Sequence, residues 1–201
     1  MRIQTAGPGE QPGVPARVLE TQVRLPRPIA EVFAFFAEAS NLGAITPRWL
    51  GFRILTPAPI RMARGTIIDY RIRLHGVPMR WRTLISLWDP PGRFVDEQIR
   101  GPYRLWRHTH TFESLHGGTL CKDRIEYDAP GGEPVHRFFV RPRVERIFAF
   151  RRAALIERFG GQGGAAVVPG NEAVNTSHSS AASATSALRC PMASSRAAGS
   201  Q

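Results

Sequence analysis

The stretch TIIDYRIRLHGVPMRWRTLISLW (66–88) alternates apolar and polar residues and is interrupted once, at Gly76-Val77-Pro78. Such period-two alternation predicts antiparallel strands with one buried face. A two-residue turn at the interruption places the apolar residues of both arms on the same face, because paired strands keep their parity. The residues expected on this face are Ile68, Tyr70, Ile72, Leu74, Trp81, Thr83, Ile85 and Leu87. The sequence therefore predicts a β-hairpin whose outer face is rich in arginine.

The same period predicts further strands on both sides of this hairpin. A first strand is expected at residues 17–24, and three more at 93–100, 104–115 and about 119–128. Between the first strand and the hairpin, IAEVFAFFAEA (29–39) has helical spacing, and NLGAI (41–45) predicts one further turn. The region before residue 50 should thus hold two short helices packed on an apolar surface.

After Pro130-Gly131-Gly132 the pattern becomes helical and remains so to Phe159. Pro142 should divide this region into a short leading turn and a long helix. One apolar stripe is expected along the helix, with Arg and Glu elsewhere; it comprises Val140, Val144, Ile147, Phe148, Leu155 and Phe159. The whole order predicts an α+β fold. A curved antiparallel sheet of about six or seven strands would wrap around the long C-terminal helix.

The two ends of the chain differ in composition from its middle. Residues 161–201 contain no Phe, Trp or Tyr, and Ala and Ser supply 18 of these 41 residues. Too little apolar surface is available there to offset the entropy of ordering, so we expect a disordered tail. Residues 1–16 are rich in Gly and Pro and predict a disordered arm. The folded domain should therefore span residues 17–160.

The compartment and the partners are constrained by composition. The two cysteines, Cys121 and Cys190, do not make a disulfide framework, and we find no apolar leader or spanning segment. A cytoplasmic location is expected. The net charge is +11, but 26 of 27 basic residues are Arg and they are spread along the chain. This pattern does not predict specific DNA binding, while weak association with RNA or an anionic membrane surface stays open.

The stretch GPYRLWRHTHTF (101–112) contains the chemistry-bearing residues of the sheet. Alternation places Trp106, His108, His110 and Phe112 on the inner face, and the next strand places Cys121, Asp123, Ile125 and Tyr127 there. A two-residue loop at 116–117 would set His110 opposite Asp123. A loop at 117–118 would set Phe112 there instead, with His110 on the diagonal. Either register brings a buried carboxylate within reach of an imidazole.

Three interpretations of this cluster remain open. It can be a structural pair that satisfies Asp123, a polar patch that orients a ligand in an apolar cavity, or an acid–base or metal site. No third ligand stands at a recognisable metal-site spacing, and the chain has no nucleophile elbow, phosphate loop or dinucleotide fingerprint. We therefore predict no catalytic residue, no metal and no cofactor from the pattern. The mixture of His, Asp and Thr with large aromatics favours a cavity wall over a solid core.

The chain resembles the START/Bet v 1-like superfamily, also called SRPBCC, which has the helix-grip fold. The resemblance is closest to small bacterial members described as polyketide cyclase/dehydrase or coenzyme-Q-binding-like, and it covers residues 17–159. It is carried by the four segments VFAFFAEASNLGAITPRWLGFRI (32–54), GTIIDYRIRLHGVPMRWRTLI (65–85), DEQIRGPYRLWRHTHTFE (96–113) and GGTLCKDRIEYDAP (117–130). The resemblance implies a ligand cavity between the sheet and the long helix.

These observations lead to one expected function and two alternatives. We expect a protein that binds a hydrophobic or amphipathic small molecule such as a lipid, a quinone or a polyketide-like compound. The expected ligand contacts are Tyr70, Trp81, Trp106, His108, His110, Asp123, Ile147 and Phe148. The first alternative is a cyclase or dehydratase that uses a cavity histidine as an acid–base group. The second is an interaction module for a ribosome, RNA or membrane surface.

Overall fold

The structure of the chain is a computed structural model that describes residues 17–74 and 76–161, and the backbone alone of residues 168–170. The expected disordered arm (1–16) lies outside the described residues. The expected tail (161–201) also lies outside the described residues, apart from Gly161 and the backbone of residues 168–170. In chain order the elements are β1 (Arg17–Leu25), α1 (Ile29–Ala37), two 3₁₀ helices (Ala39–Ile45 and Arg48–Leu50), β2 (Arg53–Ile54), β3 (Ile67–Leu74), β4 (Val77–Asp89), β5 (Arg93–Arg100), β6 (Leu105–Leu115), β7 (Gly118–Asp128), α2 (Gly132–Val135), a π-helical turn (His136–Val140), α3 (Arg141–Phe159) and β8 (Val168–Gly170).

The strands form one curved antiparallel sheet in the order β2-β3-β4-β5-β6-β7-β1-β8. The helix α3 packs against β1 and the first 3₁₀ helix. The predicted α+β class, with short helices after the first strand and a long C-terminal helix, is confirmed. The strand count among the described residues rises to eight because the two-residue β2 and the three-residue β8 are too short to show a period in the sequence.

The hairpin of β3 and β4 has the predicted register over most of its length. Tyr70 pairs with Trp81, and Leu74 pairs with Val77 at the turn. The register breaks between Ile85 and Leu87, where β4 carries a bulge against β5. Beyond the bulge Trp88 contacts Phe33 from the inner face, which turns Leu87 to the outer face. The prediction that Leu87 points inward was wrong, because one extra residue reverses the parity.

Two apolar clusters fill the space between the sheet and the helices. The phenylalanine cluster is built by α1, the end of α3 and the facing strands; it comprises Val23, Leu25, Val32, Phe33, Phe35, Phe36, Ile45, Phe94, Phe112, Cys121, Leu155 and Phe159. The tryptophan cluster lies under the start of α3 and comprises Leu19, Ile72, Trp81, Trp106, Ile125, Tyr127, Val144 and Phe148. Between the two clusters the inner face of the sheet is polar.

Candidate functional site

Two histidines of β6 and two aspartates of the neighbouring strands form a closed ring between the apolar clusters. His108 Nε2 lies 3.0 Å from Asp123 Oδ1 and its Nδ1 lies 3.5 Å from Asp96 Oδ2. His110 Nε2 lies 2.9 Å from Asp96 Oδ2 and its Nδ1 lies 2.9 Å from Asp123 Oδ1. Each imidazole therefore stands between the two carboxylates. The two rings also contact each other, with centroids 3.7 Å apart.

A fifth residue, Arg151 of α3, joins this ring to the helix. Its guanidinium Nε lies 3.4 Å from Asp123 Oδ2, and Nη2 donates a hydrogen bond of 3.3 Å to His110 Nδ1. The side chain is 11% exposed and its Nε makes no hydrogen bond. We call Asp96, His108, His110, Asp123 and Arg151 the polar cluster. A buried guanidinium requires such anionic neighbours, since an isolated charge there is costly.

The hydrogen bonds of the cluster place a proton on His108 Nε2 and on His110 Nε2, because each faces a carboxylate oxygen that can only accept. His110 Nδ1 lies 2.9 Å from Asp123 Oδ1 and 3.3 Å from Arg151 Nη2. Burial, and next the neighbouring His110, lower the pKa of His108 to about 4, although both carboxylates act in the opposite sense. His108 is therefore neutral at pH 7.

Both carboxylates of the cluster are ionised. Burial alone would raise the pKa of Asp123, but Arg151 and the two histidines hold it well below its ordinary value. Burial likewise opposes ionisation of Asp96, and His108, His110 and Arg151 together lower its pKa. The two carboxylates of the polar cluster thus face one permanent cation, the Arg151 guanidinium.

Strand register explains how these side chains meet. β6 and β7 pair Leu115 with Gly118, so the loop is residues 116–117, and His110 stands opposite Asp123. This is one of the two registers that the sequence left open. On the other side of β6, β5 places Asp96 opposite His108.

Sequence reasoning missed Asp96 and Arg151. The alternation of β5 is ambiguous, since Phe94, Asp96 and Gln98 are no more apolar as a set than Val95, Glu97 and Ile99. The helical spacing could have identified Arg151, because this residue falls in the apolar stripe, three residues after Phe148 and four before Leu155. The expectation that the arginines lie elsewhere on the helix was therefore wrong for this residue, because the cluster supplies anionic partners inside the fold.

A small cavity, partly open to solvent, lies beside the polar cluster and offers about 70 Å³ to the centres of water-sized molecules. Asp96, His108, His110 and Arg151 contribute to one wall, with Tyr70 and Thr83 next to them; the other lining residues are Phe35, Phe36, Glu38, Asn41, Leu42, Ile45, Met62, Ile68, Ile85 and Phe94. Tyr70 and Thr83 share a hydrogen bond of 3.0 Å between their hydroxyl oxygens. The arrangement is a mainly apolar pocket with a charged patch on one side.

The cavity includes three of the eight residues predicted as ligand contacts: Tyr70, His108 and His110. Asp123 lies on the other side of the imidazoles and is absent from the lining. Trp81 and Trp106 pack edge to face at 5.2 Å, and Trp106 also stacks on Phe148 at 6.4 Å. Ile147 packs against the same cluster. In this conformation the tryptophan side of the interior is filled by the protein's own side chains.

Within the described part of the chain, every helix is too short or too polar to cross a lipid bilayer. This agrees with the amphipathic character of α3, whose exposed face carries charged residues such as Arg141 and Arg146. The helix thus covers part of one side of the sheet.

Comparison with known proteins places the fold in a family. The family model described as polyketide cyclase / dehydrase and lipid transport matches residues 25–155. No curated protein sequence matches the chain.

Among solved structures, the chain is similar to the Zhui aromatase/cyclase from a Streptomyces species, with 16% identity, a TM-score of 0.57 and coverage of 72% of this chain and 94% of that one. A START superfamily protein from Mycobacterium smegmatis has 12% identity and a TM-score of 0.51, covering 72% and 97%. A nucleoside-diphosphate sugar epimerase from Corynebacterium glutamicum has 25% identity and a TM-score of 0.52; the match covers 69% of this chain and 28% of that longer protein. Since the family model spans well over half of its length, the chain belongs to the polyketide cyclase / dehydrase and lipid transport family.

Proposed function

We propose that the chain binds one hydrophobic or amphipathic small molecule, such as a lipid, a quinone or a polyketide-like compound, in the cavity beside the polar cluster. The observation that carries this proposal is the lining itself. Most of the wall is apolar, from Phe35 on α1 to Ile85 on β4, and one side presents His108, His110 and Asp96. A pocket of this kind favours a ligand with a large apolar body and a few oxygen atoms at one end.

The two parts of the wall have different roles in this proposal. Apolar area removed from water on both partners supplies the affinity. The polar side fixes the orientation, because a ligand oxygen placed elsewhere would lose its hydrogen bonds in a dry environment. Burial raises the pKa of Tyr70, so its hydroxyl keeps its proton at neutral pH and can donate to a ligand.

The five remaining predicted contacts lie outside the lining of the cavity. Asp123 holds both imidazoles from behind, through His108 Nε2 and His110 Nδ1. Trp81 and Trp106 pack with Ile147 and Phe148 of α3, and a ligand that extends from the cavity past the histidines would meet this cluster. The family description, which includes lipid transport, and the similarity to an aromatase/cyclase both support a ligand of this class.

The test uses two substitutions on adjacent residues of β3. Ile68 is buried and lines the cavity, whereas Ile67 is 47% exposed on the opposite face of the strand. Ile68→Trp should fill the cavity and Ile67→Trp should leave it unchanged. Binding of the fluorescent probe anilinonaphthalene sulfonate, and its displacement by a fatty acid, a quinone and an anthraquinone, are measured for each protein.

We expect probe binding by the wild type and by Ile67→Trp, and a loss of about tenfold or more for Ile68→Trp, which corresponds to about 1.4 kcal/mol. Met62→Trp, at a half-buried position of the lining, provides a second obstruction that disturbs the core less. Equal binding by all four proteins would refute the cavity as the binding site. Mass spectrometry of gently purified protein would then identify any molecule bound elsewhere.

Acid–base catalysis of cyclisation or dehydration is a second candidate, favoured by the exposure of both imidazoles to the cavity. A neutral His108 with a free Nδ1 is a base, and His110 carries a proton on Nε2. A positioned acid or base contributes about 10²–10⁴-fold to a rate. His108→Gln and His110→Gln should then reduce turnover of a poly-β-carbonyl substrate by that factor while its dissociation constant stays within about threefold. Equal loss of binding and turnover would leave orientation as the role of the histidines.

We also propose that the exposed surface of the protein associates weakly with an anionic membrane. Phe138 and Phe139 of the π-helical turn are 66% and 57% exposed, and Arg137 and Arg141 flank them. Exposed aromatics between arginines suit the interface of an anionic bilayer. Cosedimentation with phosphatidylserine vesicles, but not with phosphatidylcholine vesicles, is expected, and Phe138→Ser should weaken it. Retention by RNA with no vesicle binding would contradict this proposal.

A further inference from the structure

Three side chains of the polar cluster direct one donor atom each toward the same small volume. These atoms belong to Asp96, His108 and His110, and they all lie within 4.8 Å of one another. Asp96 Oδ2 is 2.9 Å from His110 Nε2 and 3.5 Å from His108 Nδ1. A tetrahedral ion with bonds of about 2.0–2.1 Å holds its ligand atoms roughly 3.3 Å apart. The observed spacing therefore fits a metal ion after small side-chain rotations.

The opposite side of each imidazole is arranged as metal-binding histidines require. His108 Nε2 and His110 Nδ1 lie 3.0 and 2.9 Å from the same oxygen, Oδ1 of Asp123. Histidines that bind a metal through one ring nitrogen almost always donate the other N–H to a carboxylate or a carbonyl, which fixes the ring and raises its basicity. One aspartate would serve both rings here.

The charge of the cluster points in the same direction. Its two carboxylates face only one permanent cation, Arg151, in a region where the side chains of His108 and His110 are 7% and 4% exposed. Arg151 contacts Asp123 and the Nδ1 side of His110, away from the three donor atoms. A cation among Asp96, His108 and His110 would thus give the carboxylates a second positive partner without meeting the guanidinium.

We propose that Asp96, His108 and His110 bind a divalent transition-metal ion, Zn²⁺ or Fe²⁺, at the wall of the cavity. Two imidazoles and one carboxylate are a ligand set used for both ions, and they leave at least one coordination position open. All three residues also line the cavity, so the open position faces it. The site stands on these residues alone and does not depend on the identity of any organic ligand.

Binding requires that His108 Nδ1 and His110 Nε2 carry no proton. His108 already carries its proton on Nε2, facing Asp123, and its Nδ1 is free to coordinate. His110 would coordinate through Nε2 in place of its hydrogen bond to Asp96, with its remaining proton on Nδ1, facing Asp123. Arg151 keeps its ion pair with Asp123.

The test is a titration of the full-length, untagged chain after treatment with a chelator. Zn²⁺ alone is added in a calorimeter, and Co²⁺ is added as a spectroscopic substitute whose visible absorption reports coordination geometry. We expect one ion per chain and an intense tetrahedral Co²⁺ spectrum. Mg²⁺ and Ca²⁺, which prefer sets of oxygen ligands, should not compete.

Substitution of each proposed ligand tests whether these residues form the metal site. His108→Ala, His110→Ala and Asp96→Asn should each abolish stoichiometric binding, and Asp123→Asn should weaken it by about 10–100-fold. His116→Ala, which removes an exposed histidine, is the matched control and should leave binding intact. Circular dichroism of each variant excludes loss of the fold as the cause.

Two outcomes would overturn the proposal. One is the absence of any stoichiometric Zn²⁺ binding or Co²⁺ spectrum in the wild type, which needs no variant to fold. The other is binding that survives all three ligand substitutions. Binding of anilinonaphthalene sulfonate by the chelator-treated protein would show that the organic cavity is intact even when the metal proposal fails.

Discussion

Substitution of Arg151 by methionine tests whether the helix holds the sheet through the polar cluster. Methionine keeps much of the apolar stem and removes the charge. The guanidinium Nε lies 3.4 Å from Asp123 Oδ2, and both side chains are at most 12% exposed. At an effective dielectric constant near 20, two unit charges at that distance attract by about 5 kcal/mol. Desolvation of the guanidinium offsets part of this value.

We therefore expect Arg151→Met to lower the free energy of unfolding by about 3–5 kcal/mol, because it leaves Asp123 buried without its cation. With a urea dependence of about 2 kcal/mol per molar, the unfolding midpoint should fall by about 2 M. Urea unfolding followed by circular dichroism measures this shift. Arg146→Met, on the exposed face of α3, should cost less than about 1 kcal/mol, since Arg146 contacts only the exposed ring of Trp49 among the described cation–π pairs.

A double substitution shows whether the loss acts through Asp123. Arg151→Met combined with Asp123→Asn should be more stable than the sum of the single effects by at least about 1 kcal/mol, because the two groups interact directly. Arg151→Lys keeps the charge and should recover part of the stability. A shift of less than about 1 kcal/mol for Arg151→Met would refute the role assigned to this residue.

Two further predictions concern the rest of the interior. Burial, and next the neighbouring Asp123, raise the pKa of the Cys121 thiol to about 12, so alkylation of Cys121 by iodoacetamide at pH 8 should be undetectable in the native protein and complete in urea; native labelling of its peptide would contradict this. A Cβ at Gly118 would clash with the Leu25 carbonyl oxygen, so Gly118→Ala should lower the thermal midpoint by several degrees, whereas Gly43→Ala, whose Cβ meets Phe52 only at 4.0 Å, should not.

The inner face of the sheet was predictable wherever two conditions held: a clean alternation and a turn of known length. Both hold for β3 with the start of β4, and for β6 with β7, so Tyr70, His108, His110 and Asp123 point inward as expected. The assignment of residues to the inner and outer faces fails where either condition is lost. The bulge beyond Ile85 exchanges the inner and outer faces of β4. It places Trp88 against Phe33 and Phe94, a tertiary contact that the local sequence does not specify.

The strand β5 illustrates the second way in which parity fails. A two-residue turn at Gly101-Pro102 would pair even-numbered residues of β5 with odd-numbered residues of β6. Asp96 would then stand opposite Arg107, on the outer face. The observed pairs, Phe94 with His110 and Asp96 with His108, require a longer connection. Tyr103 provides it, through hydrogen bonds of its backbone with the side chain of Gln98. No local pattern in the sequence specifies such a side-chain clamp, so the second carboxylate of the cluster could not be assigned from the sequence.

The missed residues explain why the sequence could not decide among a structural pair, a ligand-orienting patch and an acid–base or metal site. One aspartate facing two histidines needs no further partner, because a neutral imidazole can satisfy a carboxylate by donating one N–H. The second aspartate changes the balance: four nitrogen-to-oxygen contacts now face only two N–H groups when both rings are neutral. Arg151 supplies one permanent positive charge from the helix against the two carboxylates. The carboxylates of the cluster therefore outnumber its permanent cation, and a cation or the polar end of a ligand in the adjoining cavity would add a partner for them.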